Sequence, residues 1–171
     1  MNTLIKLTAL LLVTFTTACA APPKRIAAIV TEYRHNSHAD VIVSRLILTN
    51  TLDGKGKSPN LKLVSLYTDQ VPKNDTSRKW SKQFKVPIYK TVEESLTLGT
   101  GKLAVDGVLL IAEHGVYPKN ATGNTIYPSA GFSTRCKRSF AKPDKACRCL
   151  STSTWPTTGK TPSGFTTRRR N

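Results

Sequence analysis

The chain has 171 residues, room for one domain, and carries 26 Lys/Arg against 10 Asp/Glu, a formal net charge of +16. Such a charge invites a nucleic-acid or membrane partner, but its distribution speaks against a dedicated polyanion-binding face. Residues 129–171 hold ten Lys/Arg and one Asp, a net +9, while the other +7 is scattered through residues 1–128, so no specific nucleic-acid partner is expected.

Residues 1–20 have the pattern of a signal peptide. Lys6 supplies the positive end, and Leu7 to Thr17 supply an apolar stretch too short to span a bilayer. Ala18-Cys19-Ala20 offers a small-x-small cleavage site, so the chain is expected to be exported to a periplasmic or extracellular space. Cys19, preceded by Thr16-Thr17-Ala18, offers an alternative in a lipid anchor, the one membrane contact expected.

Residues 24–128 alternate between short apolar runs and amphipathic segments. Arg25 to Thr31 predicts a strand buried on both faces, and Ala39 to Leu48 a helix with Ser37 or His38 near its start and Asp40 in its first turn. Asp53 to Asn60 is a turn-rich loop, and Leu61 to Tyr67 predicts a second strand. Asn74 or Asp75 is placed to cap a helix running through Phe84, and Val86 to Tyr89 is a short third strand whose Pro87 suggests a sheet edge. Thr91 and Glu94 fit a capping box for a short helix ending before Gly99, and Val105 to Ala112 is a fourth strand. The order βαβαβαβ predicts an α/β, Rossmann-like parallel sheet with strand order 3-2-1-4. Its ligand crevice lies beyond the carboxyl ends of the first and fourth strands, where the order reverses.

From Ser129 the regularity stops: no apolar run of strand length and no helical period is evident, and Ser, Thr, Pro, Lys and Arg dominate. Residues 129–171 are therefore expected to be an irregular, disordered basic tail. Shifted two bases along, the same codons permit a helix, the strand-like run VPVFV and a second helix, so a frameshift that truncates the domain after about Pro128 is the favoured origin. A functional basic extension is the alternative. Cys136, Cys147 and Cys149 are an odd set without zinc-site spacing and are expected to be incidental.

All three histidines fall on the two loops that flank the crevice. His35 and His38 follow the first strand in TEYRHNSHAD, and His114 follows the fourth in AEHGVYP. With Glu113 they are the candidate catalytic residues, as general acids or bases oriented by a carboxylate. Glu32, Tyr33, Arg34, Asn36 and Tyr117 share those loops, Asp69 follows the second strand, and these six are candidate ligand contacts. His and carboxylate side chains can also bind a divalent cation, but no H-E-x-x-H or similar spacing occurs, so no metal is assigned. The cofactor stays unknown. A dinucleotide needs glycines between first strand and first helix, and EYRHNSH has none, which puts nicotinamide in doubt. GTGK at Gly99 to Lys102 lacks the rest of a phosphate loop and fits a turn.

The motifs VTEYRHNSHADVIVSRL, SLYTDQVPKNDTSR, DGVLLIAEHG and YPKNATGNTIYP resemble an uncharacterised family of exported bacterial proteins, over Arg25 to Pro128. That family's beginning is distantly similar to the cofactor-binding half of glucose–fructose oxidoreductase-like (Gfo/Idh/MocA) enzymes, whose fourth strand also ends in a polar loop with His. The resemblance implies a Rossmann-like domain, oxidoreductase-like chemistry in intact relatives, and further elements beyond those present here. The expected function is binding of a small polar ligand in the crevice. The alternatives are an enzyme using the His/Glu cluster and a basic interaction protein working through its tail.

Overall fold

The computed structural model describes residues 21–48, 60–140 and 148–151. The segment of the signal-peptide reading, Cys19, most of the turn-rich loop after the first helix, Cys147 and the Arg168–Arg170 end lie outside the described residues. Five strands form one parallel sheet: β1 (Lys24–Val30), β2 (Leu61–Thr68), β3 (Ile88–Tyr89), β4 (Gly107–Ile111) and β5 (Arg148–Ser151). Helices α1 (His38–Ile47), α2 (Ser77–Phe84), α3 (Val92–Thr97) and α4 (Ser129–Phe140) connect them in alternation. The sheet order is β3-β2-β1-β4-β5. The order 3-2-1-4 read from the sequence is thus observed and extended by one strand. Among the described residues no helix is long and apolar enough to cross a membrane.

The two-sided burial of β1 explains the layering. Ala27 and Ile29 pack on one face with Val92 and Leu96 of α3 and Phe132 and Cys136 of α4. Ala28 and Val30 pack on the other with Ala39 and Val43 of α1, and Trp80 of α2 lies against the same cluster. Successive strand residues point to opposite faces, so an uninterrupted apolar run demands helices on both. Right-handed crossovers stepping from β1 to β2 to β3 put α1 and α2 on one face. The jump back across β1 to β4 reverses direction and puts α3 and α4 on the other. β1 and β4 are hydrogen-bonded neighbours, Val30 opposite Ile111, and their loops leave the sheet together.

Local chemistry sets the helix ends. The Ser37 hydroxyl accepts the Asp40 N–H at 3.2 Å and starts α1. Thr91 and Glu94 form the expected capping box, with Glu94 N donating to Thr91 Oγ1 at 3.0 Å and Thr91 N to Glu94 Oε2 at 3.2 Å. The expected cap of α2 shifts: Thr76 holds that position without a side-chain bond, while Asp75, one residue earlier, accepts the Arg78 N–H at 3.3 Å. Asp75 thus satisfies the helix end from outside it.

The larger correction concerns residues after Pro128. The expected disorder does not hold for Ser129–Phe140 or Arg148–Ser151, which are α4 and β5. Phe132 is 4% exposed and Cys136 1%, and Phe132 meets Tyr67 edge to face with ring centroids 5.7 Å apart. Phe132, Cys136 and Phe140 recur every four residues and form one apolar stripe on α4. Cys147 and residues 152–171 lie outside the described residues.

Candidate functional site

Four segments converge at the carboxyl ends of β1 and β4: the loop after β1, the first turn of α1, the residues after β2, and the loop after β4, which carries His114 and Tyr117. The β1 loop is folded by its own polar groups. Ser37 Oγ accepts from Arg34 N at 3.3 Å as well as from Asp40 N, and Asn36 takes a left-handed φ of 58°. That conformation suits Asn and delivers His38 as the first residue of α1.

His38 and His114 then meet across the two loops. Their rings stack with centroids 4.8 Å apart and planes 25° off parallel. His38 Nδ1 lies 2.6 Å from Glu113 Oε2, a separation that requires the proton on Nδ1. His114 Nε2 accepts the backbone N–H of His38 at 3.3 Å, so that nitrogen carries a lone pair. A neutral His114 accepting there holds its proton on Nδ1. Its pKa is lowered, first by burial, then by its neighbours His38 and Arg34; Glu32 and Glu113 oppose the shift. The site therefore offers a carboxylate-oriented imidazole, half exposed, beside an imidazole held neutral.

The remaining candidates divide. Glu32 is buried, and its Oε2 accepts from Arg34 Nε at 3.1 Å, fixing the guanidinium beside the histidine pair. Asp69 is exposed and accepts two phenols, Tyr67 at Oδ1 and Tyr117 at Oδ2, each at 2.7 Å. Burial, then the Asp69 hydrogen bond and charge, push Tyr67 up to about 12, and the same causes raise Tyr117. Asp69 thus anchors the β4 loop through Tyr117. Tyr33 is a correction. It is fully buried beneath α1 and donates to Ser44 Oγ at 2.7 Å, while Ser44 donates to Asp40 Oδ1 at 3.0 Å. Its ring belongs to the core, where burial raises its pKa to about 12, and it does not face the crevice. His35 is the second correction: its side chain is 84% exposed, 3.5 Å from Asp40 Oδ2, and stands apart from the His38–His114 stack. Asn36 contributes its backbone N–H to Asp40 at 3.0 Å and is exposed.

Gln70 and Thr31 were not legible as site residues. Gln70 clasps the β4 loop from both sides, its Nε2 donating to Val116 O at 2.9 Å and its Oε1 accepting from Val116 N at 3.0 Å. Thr31 Oγ1 accepts the His114 N–H at 3.3 Å. Gln70 follows Asp69 directly, so position after β2 was the available signal. Gly115, at φ 120°, completes the turn; a Cβ there would lie 2.6 Å from the Tyr117 ring.

The geometry bears on two ligand classes. In a dinucleotide site the first-turn N–H groups of α1 would face a pyrophosphate. Here the His38 N–H is taken by His114, the Asp40 N–H by Ser37, and the Asp40 and Glu113 carboxylates stand close by. A phosphate would displace His114 and meet negative charge. Among the described residues, no group of three or more His, Cys, Asp or Glu side chains is disposed to hold a metal ion. A cavity of about 660 Å³ opens not over the histidines but beside them, at the ends of β2 and β3, with Tyr67, Asp69, Arg78, Tyr89 and Lys90 in its wall. Asp69 borders both places; the chemistry lies with the histidines, where a carboxylate, two imidazoles and a guanidinium converge. The chain matches no protein-family model, no curated protein sequence and no solved structure.

Proposed function

We propose that this is an exported Rossmann-like domain that binds a small, hydroxylated polar ligand at the carboxyl ends of β1 and β4. The observation that carries the proposal is the Glu113–His38 hydrogen bond of 2.6 Å, made between loops that only the sheet order brings together. With Nδ1 committed to Glu113, His38 keeps Nε2 for a ligand, and a neutral His114 offers Nδ1–H as a donor. Arg34 supplies a fixed positive charge for an anionic substituent. The occupied first turn of α1 favours a ligand without a pyrophosphate.

The same pair supports a second reading, an acid–base enzyme. A carboxylate that orients an imidazole through Nδ1 leaves Nε2 to take a proton from a substrate hydroxyl. The Nδ1–Oε2 contact favours that role for His38, with Glu113 as positioning residue.

Heteronuclear NMR of the imidazoles in the full chain, titrated with glucose, tartrate and NAD⁺ in turn, tests both readings. Saturable shifts of His38 and His114 with glucose or tartrate are expected, and the His114 shift should be lost in His38→Ala. Rings that respond to none of the three would contradict ligand binding at this place, and a saturable response to NAD⁺ alone would replace the proposed ligand class. Proton exchange on the bound ligand, present in the native chain and absent in His38→Ala, would carry the enzymatic reading.

A further inference from the structure

Two of the cysteines that looked incidental in the sequence meet in the fold. Cys136 is buried on α4, and Cys149 sits half-buried on β5, packed against the same apolar cluster. Their side chains are hydrogen-bonded to each other, sulfur to sulfur. Cys149 pairs with Val108 in the sheet register, so the contact joins the edge strand β5 to α4. We propose that Cys136 and Cys149 are a disulfide-forming pair that clamps α4 onto β5.

The step is thiol–disulfide exchange with an oxidant that is itself a disulfide. The thiolate of Cys149, the more accessible sulfur, attacks one sulfur of the oxidant and expels the other as a thiolate. Cys136 loses its proton to solvent and attacks Cys149 Sγ in the mixed disulfide, expelling the second thiolate. The chain gives up two electrons and two protons, and the oxidant is reduced to two thiols. The hydrogen bond from Cys136 holds Cys149 below the usual thiol range, burial opposes this, and the charge of Lys137 adds to it, which suits Cys149 to the first attack. Export would place the pair in a compartment where such oxidants prevail.

The sequence makes the test clean, because trypsin separates all the cysteines. Cleavage at Arg135, Lys137, Lys145, Arg148 and Lys160 puts Cys136, Cys147 and Cys149 on three different peptides, CK, ACR and CLSTSTWPTTGK. The full chain is oxidised with glutathione disulfide, alkylated, digested without reductant and weighed by mass spectrometry. The expected product is CK joined to CLSTSTWPTTGK, formed equally in Cys147→Ser and absent in Cys149→Ser. Closing a loop of this size should also raise the melting temperature of the oxidised chain by about 10 °C over the reduced one. That gain should vanish in Cys149→Ser. CK joined to ACR or to the peptide bearing Cys19, or alkylation of Cys136 and Cys149 after oxidation, would overturn the pairing.

Discussion

His114 accepts the backbone N–H of His38 at 3.3 Å across 76 residues of sequence, and so finishes the first turn of a helix to which it does not belong. One side chain from the β4 loop thereby does the work of a cap for α1 and positions the ring stacked on it. The two loops of the crevice are one folded unit.

Replacing that cap has a direct consequence. His114→Ala removes the acceptor and the stacked ring, and the loss of a cap costs about 1 kcal/mol. Denaturant titration should show a lower midpoint with an unchanged slope. Wild-type stability in this variant would mean that the loops fold independently.

The same histidine makes stability depend on pH. Its pKa lies below the ordinary 6.5, chiefly because burial disfavours the imidazolium. The unfolded chain takes up a proton near pH 6.5 that the folded chain resists. The contribution of His114 is therefore complete above 6.5 and is lost as pH falls from there through the folded value. Midpoints measured at about pH 7.5 and about pH 5.5 should differ more for the native chain than for His114→Gln, which does not titrate.

Tyr67 and Tyr117 behave in the opposite sense at the alkaline end. Burial, and then Asp69, hold Tyr67 up to about 12 and raise Tyr117. Their contribution is full below the ordinary value of 10.0 and is lost as pH rises through the folded values. Asp69→Asn removes the charge but not the burial. Ultraviolet titration should then show two phenols ionising closer to 10 than in the native chain.

Gly115 is the backbone position on which the β4 loop depends. At φ 120°, with the Tyr117 ring 2.6 Å from where a Cβ would stand, alanine meets both strain and collision. Gly115→Ala should cost about 1–3 kcal/mol and release Tyr117 from Asp69, seen as a fall in the Tyr117 pKa.

Phe132 tests whether the chain beyond Pro128 belongs to the core. It is 4% exposed and lies against Tyr67, so Phe132→Ala should cost about 3–5 kcal/mol. An unchanged melting temperature would return these residues to the status of a tail.

The sequence carried the sheet order because its signals were strong ones: unbroken apolar strands, Ser37 before α1, and Thr91 with Glu94 before α3. It hid α4 because two of the three stripe residues are aromatics set among Ser, Lys and Arg, and the third, Cys136, reads as chemistry rather than as a small apolar side chain. β5 is four residues with burial on alternate positions, too short to carry a period. Topology correctly brought His38, Glu113 and His114 together, since strand order alone fixes which loops are neighbours. It could not tell Tyr33 from Arg34, because which side chain turns under α1 depends on the Ser44 hydroxyl waiting there, and on core volume that an aromatic ring can fill.

The most direct measurement is the protonation pattern of the two rings, read from their nitrogen chemical shifts at neutral pH with ring-to-ring proton contacts. His38 should carry a proton on Nδ1, His114 should be neutral with its proton on Nδ1 and a lone pair on Nε2, and the rings should show mutual contacts. Two histidines titrating independently, with His114 protonated on Nε2 and no contact between the rings, would contradict a single site built from the β1 and β4 loops.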